Sequence, residues 1–421
     1  MTRTPEPNGA KTVAMRDADA PVTTVLVWDN LFGSVGQYSV VPTLGVLIAT
    51  QDPGAGPGAV GAGLFVYFAA VGLSSLLVNR WLPRFRYRTA LWVSWLFTAV
   101  GFSLLAVLHT FALLLVALFL AGFGISVHHL LARVLIADRT NGDVERNRAY
   151  SWMNVAVNVG GALGPFIAGL LYFAGDARPL VVAVAGCFLV GSAILLLWLP
   201  RDLRPVPTPT AWPVSRAGLA VVLRHPMACR TVVIATLATF LYAQFYSAFA
   251  LLVADRITTP LTRAILLSGP AVAIVFLQST VTGVIGVLMR RGAQPKQLLG
   301  IATIVFGGAM FSLGSSMPLV TACLVAVALF AIAEMIFTPM LNTAFAALPL
   351  ATSLERLNFR QVCWTTGEAL GSLCGGTLFL VAVTRGMDRL YWAGLGTVSI
   401  AGTLLLLFLR RPTFRKPRSL P

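Results

Sequence analysis

Charge is scarce in this chain. Only 11% of its 421 residues are Asp, Glu, Lys or Arg, and just 15 of them are acidic, whereas a soluble domain uses roughly 25% charged residues. That shortage excludes an ordinary water-soluble globule. Disulfide chemistry is missing too: the five cysteines, Cys187, Cys229, Cys323, Cys363 and Cys374, are odd in number and include no CxxC pair. No GxxxxGK[ST] stretch occurs, so the chain has no P-loop of its own to cradle a nucleotide phosphate. No paired metal-ligand motif and no nucleophile beside a base stand out. An enzyme, a resident metal and a cofactor are therefore not expected. Residues 1–21 lack an apolar core ahead of a small-residue cleavage site, so the first apolar run is expected to be retained.

What the chain does have is apolar length. Hydrophobic residues make up 57% of it, and the mean hydropathy is +0.82. Apolar runs fall near 23–49, 60–79, 89–108, 111–135, 151–174 and 179–199, and again near 231–254, 264–289, 298–316, 318–345, 361–383 and 390–409. Each can cross about 30 Å of hydrocarbon at 1.5 Å per residue. The expectation is an all-α integral membrane protein with twelve transmembrane helices.

A formal charge of +16 could suggest a nucleic-acid partner, but the placement of the basic residues argues otherwise. With residue 1 in the cytoplasm, the inward-facing segments hold all of the 31 Lys and Arg except Arg178, Arg256, Arg263, Arg385 and Arg389. This is the positive-inside asymmetry of a multi-pass protein of the cell membrane with both termini cytoplasmic. No nucleic acid is needed to explain the charge.

The chain repeats itself. A shift of 207 residues lays GGALGPFIAGLL (160–171) on GEALGSLCGGTL (367–378) and places Gln37 on Gln244. Two homologous six-span halves explain this economically. The expected domains are a cytoplasmic tail (1–21), a first six-helix bundle (22–199), a basic linker (200–230), a second six-helix bundle (231–410) and a basic tail (411–421). Parallel repeats with a site where they meet near the midplane describe a rocking transporter.

Six plus six spans, basic loops after span 2 and between the halves, and a glycine-rich fifth span with a Gly-Pro pair resemble the major facilitator superfamily. The resemblance covers residues 22–410. Within it, GGALGPFIAG is similar to the fifth-span motif of drug:proton antiporters, with Gly160, Gly164, Pro165, Ala168 and Gly169 in the motif positions. The signature expected after span 2 is degraded here to SLLVNRWLPRFR: Ser75, Asn79 and Leu82 replace Gly, Asp and Gly, while Arg80 remains. The resemblance implies that the missing Asp would meet the start of span 11, so Asn79 makes a weaker latch. It also implies a monomer.

Gly160, Gly164 and Ala168 recur every four residues and form a groove for close helix packing, which membrane helices need because lipid is as apolar as leucine. Gly367, Gly371 and Gly375 repeat it on span 11. The two grooves are expected to face each other across the halves, with Pro165 bending span 5. An ordinary packing seam is the competing reading.

Three acids lie inside spans: Asp29, Glu334 and Glu368. Burying a charge in a bilayer costs a few kcal/mol, so such residues face a bundle interior or a wet cavity and often carry protons. All three are proton-coupling candidates, with Glu334 first. Their alternatives are a solvated end position for Asp29 and structural contacts for the glutamates. His129, which shares a face of span 4 with Gly122, Ser126 and Arg133, is a candidate proton relay or a packing residue. Arg133 reads as a snorkelling anchor or the partner of an acid in the cytoplasmic gate. Arg360, two turns before Glu368, is too far for a direct pair without bending. Gln37 and Gln244, with Tyr246, are candidate substrate contacts in an aromatic pocket suited to an amphipathic molecule.

These features describe a secondary transporter that exports a small amphipathic drug or metabolite in exchange for protons, by alternating access. The alternative is uptake of a small organic solute by proton symport.

Overall fold

The computed structural model describes residues 9–51, 56–78, 81, 84–140, 143–172, 176–204, 215–350 and 353–408, and among them there is no strand. In chain order the helices are α1 (Gly9–Val40), α2 (Leu44–Gln51), α3 (Gly56–Val78), α4 (Tyr87–Leu104), α5 (Phe111–Arg139), α6 (Asp143–Leu171) and α7 (Arg178–Trp198). A short α8 (Arg216–Arg224) leads into α9 (Pro226–Gln244), α10 (Ala250–Arg256), α11 (Pro260–Arg290), α12 (Pro295–Leu313), α13 (Leu319–Ala346), α14 (Ser353–Thr384) and α15 (Asp388–Phe408). Local chemistry sets several of these ends. Proline occupies the first turn of α7, α9, α11 and α12, where its missing N–H breaks no helical bond. The α11–α12 turn reverses at Gly292, whose φ of +96° strains any residue with a Cβ.

Eleven segments among the described residues are long and apolar enough to cross a membrane. Span 1 is α1 running on into α2, and span 7 is α9 joined to α10 through a π-turn at Phe245–Phe249. The twelfth long helix, α4, has 18 residues and begins with Tyr87-Arg88-Thr89, which dilutes its apolar character. It is nonetheless packed between α5 and α7 in the first bundle.

The packing repeats between the halves. In the first, span 1 packs on spans 5 and 6, span 3 on spans 4 and 6, and span 2 on span 4. In the second, span 7 packs on span 11 and, more than on span 12, on span 9, while span 9 packs on spans 10 and 12 and span 8 on span 10. The halves meet through a matched pair of contacts, α3 with α14 and α6 with α11. This is the two-bundle architecture the internal repeat predicted. Outward faces carry bare apolar side chains such as Phe276, Val398 and Phe408, each at least 70% exposed, as lipid contact requires. Ring stacks fill the interiors, for example Phe245 on Phe330 at 4.4 Å between centroids.

The glycine grooves do not face each other. A Cβ on Gly160 would lie 2.5 Å from the Ser34 Cβ, and one on Gly164 would lie 2.5 Å from the Tyr38 carbonyl carbon. Both glycines therefore seat α6 on α1 of the same half. Likewise Gly367, Gly371 and Gly375 seat α14 on α9 and the π-turn, against Thr239, Phe240 and Ser247. The other face of each glycine-rich helix meets the opposite half: Gly161 and Gly169 look at Ala271 and Ala264 of α11, and Gly376 meets Gly61 of α3.

Candidate functional site

A narrow cleft lies at the junction of the halves. Tyr38 and Pro42 reach it from span 1, and Asn158, Gly161 and Pro165 from α6. Tyr246 reaches it from the π-turn, Pro270 and Ala271 from α11, and Glu334 from α13. Asn158, Gly161 and Pro165 follow one another by three and four residues, so α6 turns a single face to this space. About 30 Å³ of it admits a water-sized sphere, room for about one water molecule. The cleft is closed to anything larger. A wider hollow of about 510 Å³, lined by His109, Asp176 and Arg178, opens at the rim of the first half and contains none of the intramembrane acids.

Glu334 is the acid that lines the cleft. It has a polar contact with the Tyr242 hydroxyl, which lies a long 3.4 Å from Oε1 and 3.3 Å from the Tyr246 oxygen, with one proton to donate to either. No cation is within ion-pair distance of it among the described residues. Glu368 is 7% exposed and accepts a hydrogen bond from the Trp364 indole at 2.9 Å. Arg360 lies over the face of the same indole, 5.5 Å from its centroid. The indole thus stands between the arginine and the acid, and no direct pair forms.

Asp29 behaves differently from the expectation of a solvated end. It is fully buried inside the first half, where Oδ1 accepts from Trp95 Nε1 at 2.6 Å and Oδ2 lies 2.8 Å from His128 Nε2. The other His128 nitrogen faces Ser94 Oγ and the Leu91 carbonyl, and its ring stacks on Trp95 at 3.7 Å. The partner of the acid is thus His128. His129 is half-buried between His128 and Arg133. Gln244 is also reassigned. It is fully buried, donates to the Gly371 carbonyl at 2.9 Å and accepts from Tyr391 at 2.6 Å, so its amide ties span 7 to spans 11 and 12 instead of facing a substrate. Gln37, its counterpart in the repeat, is half-buried beside Tyr67. Asn79 and Arg80 lie outside the described residues.

Sequence reasoning left Tyr38, Tyr242 and His128 off the candidate site and missed Asn158. The face shared by Asn158, Gly161 and Pro165 was a usable signal. The others are polar groups in apolar runs whose partners come from distant spans.

Two helical bundles with a closed, partly polar cleft at their junction define a secondary transporter. The family profile of the Major Facilitator Superfamily matches residues 30–354, and the chain belongs to that superfamily. It is a transporter and not an enzyme. Solved structures share the fold over nearly the whole chain. A POT family transporter in complex with 5-aminolevulinic acid has a TM-score of 0.78 at 15% identity, covering 91% of this chain and 95% of that one. An auto-inhibited POT family peptide transporter has a TM-score of 0.74 at 16% identity, covering 95% and 99%. No curated protein matches the sequence.

Proposed function

We propose that the chain is a proton-coupled symporter that takes up a small organic solute, with Glu334 carrying the proton. The carrying observation is a cleft carboxylate, on an element of the second half, that holds only a long phenolic contact and no cation. In a dry cleft such a group is costly while charged, and protonation removes that cost. Proton and solute loading together would then favour closure, and release to the other side would follow reopening. The closed cleft must widen to take any solute, since ligand sites of this kind measure about 300–1,000 Å³.

The structural neighbours favour this reading over the drug:proton antiporter expectation. They are peptide transporters, and the ligands in them include a thioalcohol-conjugated peptide, 5-aminolevulinic acid and alafosfalin. Export rests only on the fifth-span motif, in which Gly160 and Gly164 serve packing against span 1 and Gly169 packing against α11.

Proteoliposomes of known orientation, with an imposed pH gradient and a panel of small peptides and amino-acid-like solutes, test the proposal. The expected result is accumulation driven by an acid exterior, abolished by a protonophore and reduced at least tenfold by Glu334→Gln. Gradient-driven extrusion would reverse the direction, and unchanged accumulation in the variant would remove Glu334 from the coupling role.

A further inference from the structure

Tyr242 stands between the two polar groups that the second half presents to the cleft, Glu334 on α13 and Tyr246 on the π-turn. Its hydroxyl lies 3.4 Å from Glu334 Oε1 and 3.3 Å from the Tyr246 oxygen. Both distances are long beside the usual O–H···O separation of about 2.7–2.8 Å, so the single proton is committed to neither partner. The ring has no such freedom. It is buried, stacked with Phe330 and Phe337, and flanked by Trp364 at 5.4 Å between centroids. What can change at Tyr242 is the direction of its hydroxyl. Around Glu334, Tyr38 of span 1 lines the same cleft, Glu368 of α14 is held by the Trp364 indole, and Arg360 covers the face of that indole. Among the described residues, α6 and α11 line the cleft without adding a titratable group, and α12 brings the Phe306 ring against Tyr242.

A carboxylate only accepts hydrogen bonds, a carboxylic acid also donates one, and a phenol both donates and accepts. While Glu334 is charged, the stronger charge-assisted bond draws the Tyr242 proton towards it. The Tyr242 oxygen then accepts from Tyr246, and a Tyr246 lone pair faces the cleft. Once Glu334 is protonated, the acid donates to Tyr242, Tyr242 donates to Tyr246, and the Tyr246 proton turns to the cleft. The direction of the whole chain reverses, and in a dry site its bonds reinforce one another. Each phenol keeps its own proton throughout; the added one comes from solution and stays on Glu334.

We propose that Tyr242 is a positioning residue that passes the protonation state of Glu334 to Tyr246, switching the Tyr246 hydroxyl from acceptor to donor towards the cleft. A solute bound together with the proton then meets Tyr246 with an acceptor oxygen, a carbonyl or a carboxylate. The solute part rests on the symport reading, whereas the switch belongs to the protein without solute. It gives the proton a differential effect on solute affinity, which coupling requires.

Infrared difference spectroscopy of the full chain in proteoliposomes, acidified against neutral, reads the switch without any solute, and ring-deuterated tyrosine marks the phenol bands. The native chain should gain a carboxylic-acid band that is lost in Glu334→Gln, together with shifted phenol C–O bands that are lost in the same variant. The two phenol variants should then differ. Tyr246→Phe keeps the response of Tyr242, whereas Tyr242→Phe loses the phenol response altogether while its carboxylic-acid band persists. That persisting band also shows that the variant folds with Glu334 still titrating. A phenol response that survives in Tyr242→Phe, or a native chain without a Glu334-dependent phenol response, overturns the switch. For whichever solute of the peptide and amino-acid panel is accumulated, Tyr246→Phe should raise KM at least tenfold with kcat little changed; an unchanged KM removes the solute contact. Uptake measured separately keeps the readings apart: gradient-driven uptake with silent phenol bands sinks this inference alone, and the switch without gradient-driven uptake sinks the symport proposal alone.

Discussion

At the residue scale the deepest polar group is Asp29, held between His128 and Trp95 with no solvent access. Removing one member of a buried hydrogen-bonded pair leaves the other unsatisfied, which costs about 1–3 kcal/mol. Asp29→Asn should therefore lower the melting temperature of the purified protein markedly, and Asp29→Asn combined with His128→Gln should cost less than the sum of the single changes. Additive losses would mean that the two side chains do not act together. Gln244→Leu leaves the Gly371 carbonyl and the Tyr391 hydroxyl unpaired in a buried place, at about 1–3 kcal/mol for each. It should lose thermal stability while solute affinity of the folded fraction stays unchanged; a lower affinity at equal stability would restore Gln244 to the binding site. That an acid in span 1 needed a partner was readable from its apolar surroundings. That His128 of α5 supplied it was not, because the two lie 99 residues apart in sequence and only the placement of α1 beside α5 brings them together. Glu334 was legible for the opposite reason: a lone acid amid apolar residues has few places to go except a cavity.

At the scale of elements, spacing announced the close packing of α6 and α14 but not what each packs against. Small residues every four positions say that a backbone comes near. They do not say whose, and here it is span 1 or span 7 of the same half, while the faces one residue on meet the other half. The prediction is position-specific. Gly164→Val puts a branched side chain where even a Cβ would meet the Tyr38 and Ser39 backbone at 2.5 and 2.6 Å. It should force α6 off α1 and cost at least about 3 kcal/mol, as severe overpacking does. Gly186→Ala, on the open side of α7 with nothing within 4 Å of the new Cβ, should stabilise by about 0.5–1 kcal/mol through helix propensity. Thermal unfolding in one detergent compares the two, and equal effects would show that α6 does not sit on α1 so closely. The twelve-helix plan was legible because twelve apolar runs admit little else, and only α4 falls short on hydropathy.

At the scale of the whole molecule, the internal repeat foretold two bundles, and the matched contacts α3 with α14 and α6 with α11 are where they must part if the molecule rocks. Gly169 and Ala264 face each other across α6 and α11, with a Cβ at 169 lying 3.3 Å from the Ala264 Cβ. That separation is slightly under the usual Cβ distance of a disulfide, about 3.5–4.5 Å, so a small adjustment brings two cysteines into bonding range. The double variant Gly169→Cys with Ala264→Cys should cross-link on oxidation, and none of the five native cysteines is bonded to another. Closure at that end of the junction would then be permanent, because α6 and α11 carry opposite halves. Uptake into proteoliposomes should fall to background on oxidation and return on reduction, while each single-cysteine variant keeps its activity throughout. Transport that continues with the cross-link fully formed would mean that these helices never separate during the cycle. The solute would then have to pass by local movements within one half, and the closed cleft at the junction could not be its route.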